Sequence, residues 1–132
     1  MKDRITLQTG AQPTKEELMT ANFIVSYDKK VTIRFLAASQ TKGVRTPDIE
    51  INGMEWEIKC PRNNGKYTVL HMMQSASKQS SNIIVDLRQA KAPKRSLSLI
   101  KHESKLRNKL KNVIVITKDE KIIDIKGSLC YN

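Results

Sequence analysis

The chain has 132 residues, the length of one domain, and 39% of them are apolar, enough for one modest core. Lys and Arg number 24 against 13 Asp and Glu, a net charge of +11, which points to a polyanionic partner: nucleic acid, an anionic membrane surface or an acidic protein. No apolar run approaches the ~18 residues of a membrane span, no charged-then-apolar N-terminus marks a signal peptide, and two cysteines cannot build a disulfide framework.

Residues 1–13 show no periodicity and carry Gly10 and Pro13, so they read as a flexible leader before a single domain over 14–132. Thr14 has the form of an N-cap, and Glu17 stands at the capping-box spacing. A helix is predicted from Lys15 to about Val25. Val31, Ile33 and Phe35 alternate with Thr32 and Arg34, which is strand periodicity. Residues 39–46 are polar and form a loop. Asn52-Gly53 between apolar runs signals a two-residue hairpin, because a type I′ turn needs positive φ at both central positions. Pro61 to Gly65 break the chain, and Tyr67 to Ser80 read as a helix with Leu70, Met73 and Met72 inward. A β-branched strand follows at Ile83–Leu87. Ser96 or Ser98 caps a basic helix running to about Leu110. Val113–Thr117 and Ile122–Ile125 are two more strands around the turn 118–121. The expected fold is α/β: one domain with a central mixed sheet flanked by helices.

The charge is uneven. From Arg88 to Lys111 nine basic residues face only Glu103, while acidic residues concentrate between Asp48 and Glu57. In the hairpin, a two-residue loop pairs Ile49 with Trp56, Glu50 with Glu55 and Asp48 with Glu57. Ile49, Ile51, Met54, Trp56 and Ile58 then share a core face, and Asp48, Glu50, Glu55, Glu57 and Lys59 share the other. Opposed carboxylates repel. Glu50 and Glu55, near the turn, can lean into solvent. Asp48 and Glu57 lie nearer the body of the domain, where a divalent cation with oxygen ligands, Mg²⁺ or Mn²⁺, would relieve the repulsion. Lys59 on the same face could hold a water or offset charge developing on a phosphate. A solvent-facing charged hairpin with one cross-strand ion pair accounts for the same spacing.

Pro47-Asp48, eight residues, then Glu57-Ile58-Lys59 resembles the PD-(D/E)XK nuclease motif. It is set on a predicted hairpin, after a helix with an acidic residue and before a helix-strand unit. ELMTA (17–21), TPDIEINGMEWEIKCP (46–61) and SASKQSSNIIVDLR (75–88) together resemble the C-terminal tRNA-nuclease domains of contact-dependent growth inhibition toxins and related polymorphic toxins. The resemblance implies Asp48 and Glu57 as metal-binding carboxylates and Lys59 as the motif lysine. It implies Glu17 as the acidic residue of the first helix, in competition with its capping role. Lys78 or Gln79 matches a polar residue of the following helix that faces the site.

The expectation is thus a Mg²⁺- or Mn²⁺-dependent endoribonuclease toxin domain acting on tRNA. Its catalytic residues are Asp48, Glu57, Lys59 and Glu17, with metal at Asp48 and Glu57. Lys78, Arg88, Lys91, Lys94, Arg95, Lys101 and Lys105 are the expected phosphate contacts. With 5% aromatic residues, stacking of single strands is disfavoured, and folded RNA gripped by backbone and shape fits better. The resemblance also implies an acidic cognate immunity protein, export as the tail of a larger protein, action in the target-cell cytoplasm, and no membrane anchoring by this domain. The alternatives are a DNase of the same superfamily and a non-catalytic basic nucleic-acid-binding module. His71 and His102 stand in no ligand pattern. Cys60 and Cys130 read as reduced thiols, Trp56 as core, and Asp86 either as a support to the site or as the ion-pair partner of Arg88.

Overall fold

A computed structural model describes residues 4–39, 46–62 and 66–127. Among them the chain alternates in the order β1 (Ile5–Leu7), α1 (Lys15–Tyr27), β2 (Ile33–Phe35), β3 (Ile49–Ile51), β4 (Met54–Lys59), α2 (Lys66–Gln79), β5 (Asn82–Asp86), α3 (Pro93–Leu106), β6 (Asn112–Ile116) and β7 (Ile122–Lys126). The seven strands lie in sequence order in one mixed sheet. β1 with β2, β4 with β5 and β5 with β6 are parallel; the remaining neighbours are antiparallel. Each parallel step is made through a helix, as parallel neighbours require.

Alternation along the strands builds two cores. Ile49, Ile51, Trp56, Ile58, Ile84 and Ile114 meet Ala21, Ile24 and Val25 of α1 on one side. Ile83, Val85, Val113 and Val115 meet Val69 and Met73 of α2 and Ile100 of α3 on the other. β5 and β6 are apolar on both faces because both are covered. Trp56 is fully buried in the first core, as expected. Met54 is 38% exposed instead, since it adjoins the turn, where no helix reaches.

Three expectations are corrected. Residues 4–13 are not wholly a loose leader: Ile5–Leu7 pair with Ile33–Phe35 as an edge strand, and Ile5 packs on the first core. The basic helix is capped by neither serine. It opens at Pro93, whose fixed φ suits a first helical position, and Ser96 is buried inside it. It ends at Leu106, where the Arg107 N–H reaches the Glu103 carbonyl. The first helix extends two residues beyond its expected end, to Tyr27, and Asp28 closes it through an N–H bond to the Ile24 carbonyl. Most of the expected 39–46 loop, the end of the 61–65 break, and Cys130 lie outside the described residues.

Candidate active site

The hairpin register is the one the sequence predicts: Ile51 faces Met54, Glu50 faces Glu55 and Ile49 faces Trp56. Asn52 and Gly53 both have positive φ, 49° and 89°, as a type I′ turn demands. The β3–β4 ladder stops one residue later. There the Asp48 side chain takes over from the main chain, and Oδ2 accepts the Ile58 N–H at 2.9 Å. The Asp48 carbonyl meanwhile accepts the Leu36 N–H, tying the residue to the chain beyond β2. Asp48 is therefore fixed from both sides.

Glu57 and Lys59 project from β4 on the face of Ile83 and Val85. Glu57 is 5% exposed. Its Oε2 lies 3.5 Å from the Lys59 ammonium, and its Oε1 is buried with no hydrogen-bond partner. Burial first, and the neighbouring Asp48 carboxylate second, raise the Glu57 pKa to about 7, against the pull of Lys59. Glu17 joins this group from the first turn of α1. Its Oε1 accepts the Thr14 N–H at 3.0 Å while Thr14 Oγ1 accepts the Glu17 N–H, a complete capping box. Burial raises its pKa, and Asp48 adds to the rise. Of the two roles weighed in the sequence, the capping role is the one formed, and the same carboxyl also interacts with Asp48.

The residues present fit a divalent cation. A buried carboxylate oxygen without a partner, next to a second carboxylate that repels it, is a donor set short of a positive charge. No group of three or more His, Cys, Asp or Glu among the described residues is arranged to hold a metal alone. Asp48 and Glu57 are the two carboxylates that could hold such an ion, with water and a substrate phosphate completing the shell.

Behind Lys59 lies a second polar cluster that the sequence did not reveal as a unit. Asp86 closes β5, 4% exposed. Arg88 Nε donates to its Oδ1 at 3.0 Å and a terminal Arg88 nitrogen to its Oδ2 at 2.7 Å. Thr20 of α1 donates to Oδ2 at 2.7 Å, and the Cys60 thiol lies 3.4 Å from the Thr20 hydroxyl. The Arg88 guanidinium also stacks over the Phe23 ring at 4.7 Å. The bonds from Arg88 and Thr20 outweigh burial and lower the Asp86 pKa. Burial drives the Cys60 thiol up to about 11. Of the two roles considered for Asp86, the ion pair is the one formed. Thr20 gave no signal, being one more helical threonine.

The basic segment is divided by the fold. Arg88 serves Asp86 and Arg107 serves Glu103 at 2.9 Å. Lys91, Lys94, Arg95, Lys101 and Lys105 are exposed. α3 returns from the C-terminal end of β5 to the N-terminal end of β6. Lys94 and Arg95 therefore lie about 15 Å along the axis from Lys105. Lys91, Lys94 and Arg95 fall at the strand end that Lys59 closes, where the Lys91 N–H bonds the Arg62 carbonyl. Lys78, in the last turn of α2, lies toward the N-terminal end of β5, beside Lys109 and Lys111.

A seven-stranded α/β domain with a buried glutamate beside a half-buried aspartate, a lysine and an exposed basic surface is the class that fold and site define. The profile of the contact-dependent growth inhibition CdiA C-terminal domain matches residues 45–122, more than half of the chain. The chain belongs to that family, and it is a growth-inhibition toxin domain, part of a larger exported protein. The structure is also similar to the toxin in a CdiA-CT/CdiI toxin and immunity complex from Burkholderia pseudomallei. The TM-score is 0.60 at 22% identity, over 92% of this chain and 98% of that one, a likeness of fold. No curated protein matches the chain. No helix among the described residues is long and apolar enough to cross a membrane.

Proposed function

We propose that this domain is a metal-dependent endoribonuclease of the PD-(D/E)XK kind that hydrolyses phosphodiester bonds in tRNA. The observation that carries it is the buried Glu57 carboxylate, with one oxygen unpartnered, set against Asp48 and 3.5 Å from Lys59. Asp48 and Glu57 are the residues that would hold Mg²⁺ or Mn²⁺. Such a cation, when bound, polarises the scissile phosphate and lowers the pKa of a bound water.

The remaining roles fall to the chain itself. Asp48, pinned by the Ile58 N–H, presents its other oxygen in a fixed direction. Lys59, 26% exposed at the side chain, faces both Glu57 and solvent, so it can orient the attacking water or offset charge on the phosphorus. Glu17, tied into the capping box, can accept a hydrogen bond from a water at the site. Lys91, Lys94 and Arg95, at the strand end closed by Lys59, supply phosphate contacts without reading sequence. RNA is preferred over DNA on the chain's resemblance to tRNA-cleaving toxins. The solved relative is a toxin and immunity complex. It supports a cognate immunity protein for this domain too, acidic to match the +11 chain, with action in the target-cell cytoplasm.

Purified protein is incubated with total tRNA and, separately, with plasmid, each with Mg²⁺ and with chelator. Cleavage of tRNA in Mg²⁺ alone, lost by about 100-fold or more in Glu57→Gln and Lys59→Met, is the expected result. Plasmid nicking with intact tRNA would transfer the activity to DNA. Cleavage that persists in chelator would remove the metal, and full activity in both variants would remove the site.

A further inference from the structure

A groove of about 570 Å³ lies on the far flank of the α2–β5 turn from the hairpin. Ser77 to Ser81 form one wall and Asn108, Lys109 and Lys111 the other, so the groove joins two segments remote in sequence. Three lysines line it, Lys78, Lys109 and Lys111, and no acidic residue does. All three are exposed. Glu50 and Glu55, near the hairpin turn, border the other side of the same turn.

The groove is braced. The Lys111 and Asn112 N–H groups both bond the Ser81 carbonyl, at 2.7 and 3.2 Å. The Asn112 side chain donates to Asn82 Oδ1 at 2.7 Å. Gly127 packs so closely beneath that a Cβ there would fall 2.0 Å from Asn112 Oδ1. Two loops locked in this way hold the lysines on a fixed rim, which suits repeated capture of anionic groups. Asn108 and the Ser81 hydroxyl add neutral donors of the kind that hydrogen-bond phosphate oxygens, while Ser77 and Ser80 donate to the Gln74 and Glu55 carbonyls.

We infer that this groove is a second phosphate-binding site, separate from the carboxylate cluster, which holds the backbone of the RNA substrate away from the bond that is cut. The inference rests on the nuclease reading. The groove opens at the N-terminal end of β5 and β6, whereas Lys91, Lys94 and Arg95 follow the C-terminal end of β5. Five residues of strand separate those ends, about 16 Å. A folded RNA longer than that can engage both basic groups at once. A short oligonucleotide seated at the carboxylates reaches only its near surroundings.

The test uses the full chain carrying Glu57→Gln, so that binding is read without cleavage, and adds Lys109→Gln with Lys111→Gln. Fluorescence anisotropy with labelled total tRNA and with a single-stranded RNA trinucleotide, too short to span the ~16 Å, is followed from 50 to 300 mM salt. The double lysine change is expected to weaken tRNA binding ~10-fold near 150 mM salt and to lower the salt slope by about two. The trinucleotide affinity is expected to stay within twofold, with the melting temperature unchanged. Unchanged tRNA affinity overturns the inference, and so does equal loss for both RNAs, which would signify only a weaker overall field. Intact tRNA binding with lost affinity for a purified immunity protein would assign the groove to that partner and overturn it as well. A chain that binds tRNA through these lysines but cuts none would sink the nuclease reading and leave the groove standing. A chain that cuts tRNA without this dependence would do the reverse.

Discussion

Glu57 shows how a single side chain can be stable and strained at once. Buried beside Asp48, its pKa stands at about 7 instead of 4.5. A carboxyl whose folded pKa is raised stabilises the fold fully below its unfolded pKa, and that contribution is lost as pH rises through about 7. In chelator, wild type and Glu57→Gln should therefore have matching stabilities near pH 4.5. Wild type should fall behind on the order of 3 kcal/mol by pH 8. Denaturant titrations across that range check it, and a constant difference would mean that Glu57 does not titrate there. Asp86 poses the opposite case. Its charge is kept by Arg88 and Thr20. Arg88→Ala strands a buried carboxylate and should cost about 3 kcal/mol, read as a shift in denaturant midpoint at unchanged slope.

At the scale of elements, two glycines separate backbone strain from collision. Gly53 has φ 89° with open space where a Cβ would go, so Gly53→Ala carries only the left-handed backbone penalty, about 1 kcal/mol. Gly127 has φ 94°, and its Cβ would strike Asn112 Oδ1 and approach the Lys111 carbonyl within 2.9 Å. Gly127→Ala should cost at least twice as much, and urea titrations of the two variants rank them. If the costs are equal, the packing of β7 beneath the Asn112 loop is not tight. The α1 N-terminus is the other informative junction. Thr14 and Glu17 satisfy each other's N–H groups, and the same Glu17 interacts with Asp48. Helix capping and site electrostatics are joined in one residue.

Taken whole, the molecule places negative charge in a buried notch and positive charge along an exposed helix. A cation that binds only the folded notch stabilises the fold by mass action. Millimolar Mg²⁺ should raise the melting temperature by a few degrees near pH 8, less near pH 5.5, where Glu57 holds its proton, and not at all in Asp48→Asn with Glu57→Gln. Equal stabilisation of all three would identify a general salt effect instead.

Local rules were enough for much of this. Asn52-Gly53 dictates its turn and thereby the register of Glu50 against Glu55, which brings Asp48 near Glu57 just beyond the ladder's end, because side chains alternate and a hairpin's loop length sets its pairing. Thr14 and Glu17 announce the start of α1 by spacing alone. Long-range packing decided the rest. Ile5–Leu7 become a strand only because β2 offers an unpaired edge. Thr20 matters only because α1 crosses the end of β5. The contiguous basic run from Arg88 to Lys111 becomes two separate surfaces and two internal ion pairs, since a parallel crossover must carry α3 from one end of the sheet to the other. Sequence determined the turn, the cap and the charges; where each charge faces was settled by tertiary contacts, because burial and pairing depend on neighbours distant along the chain.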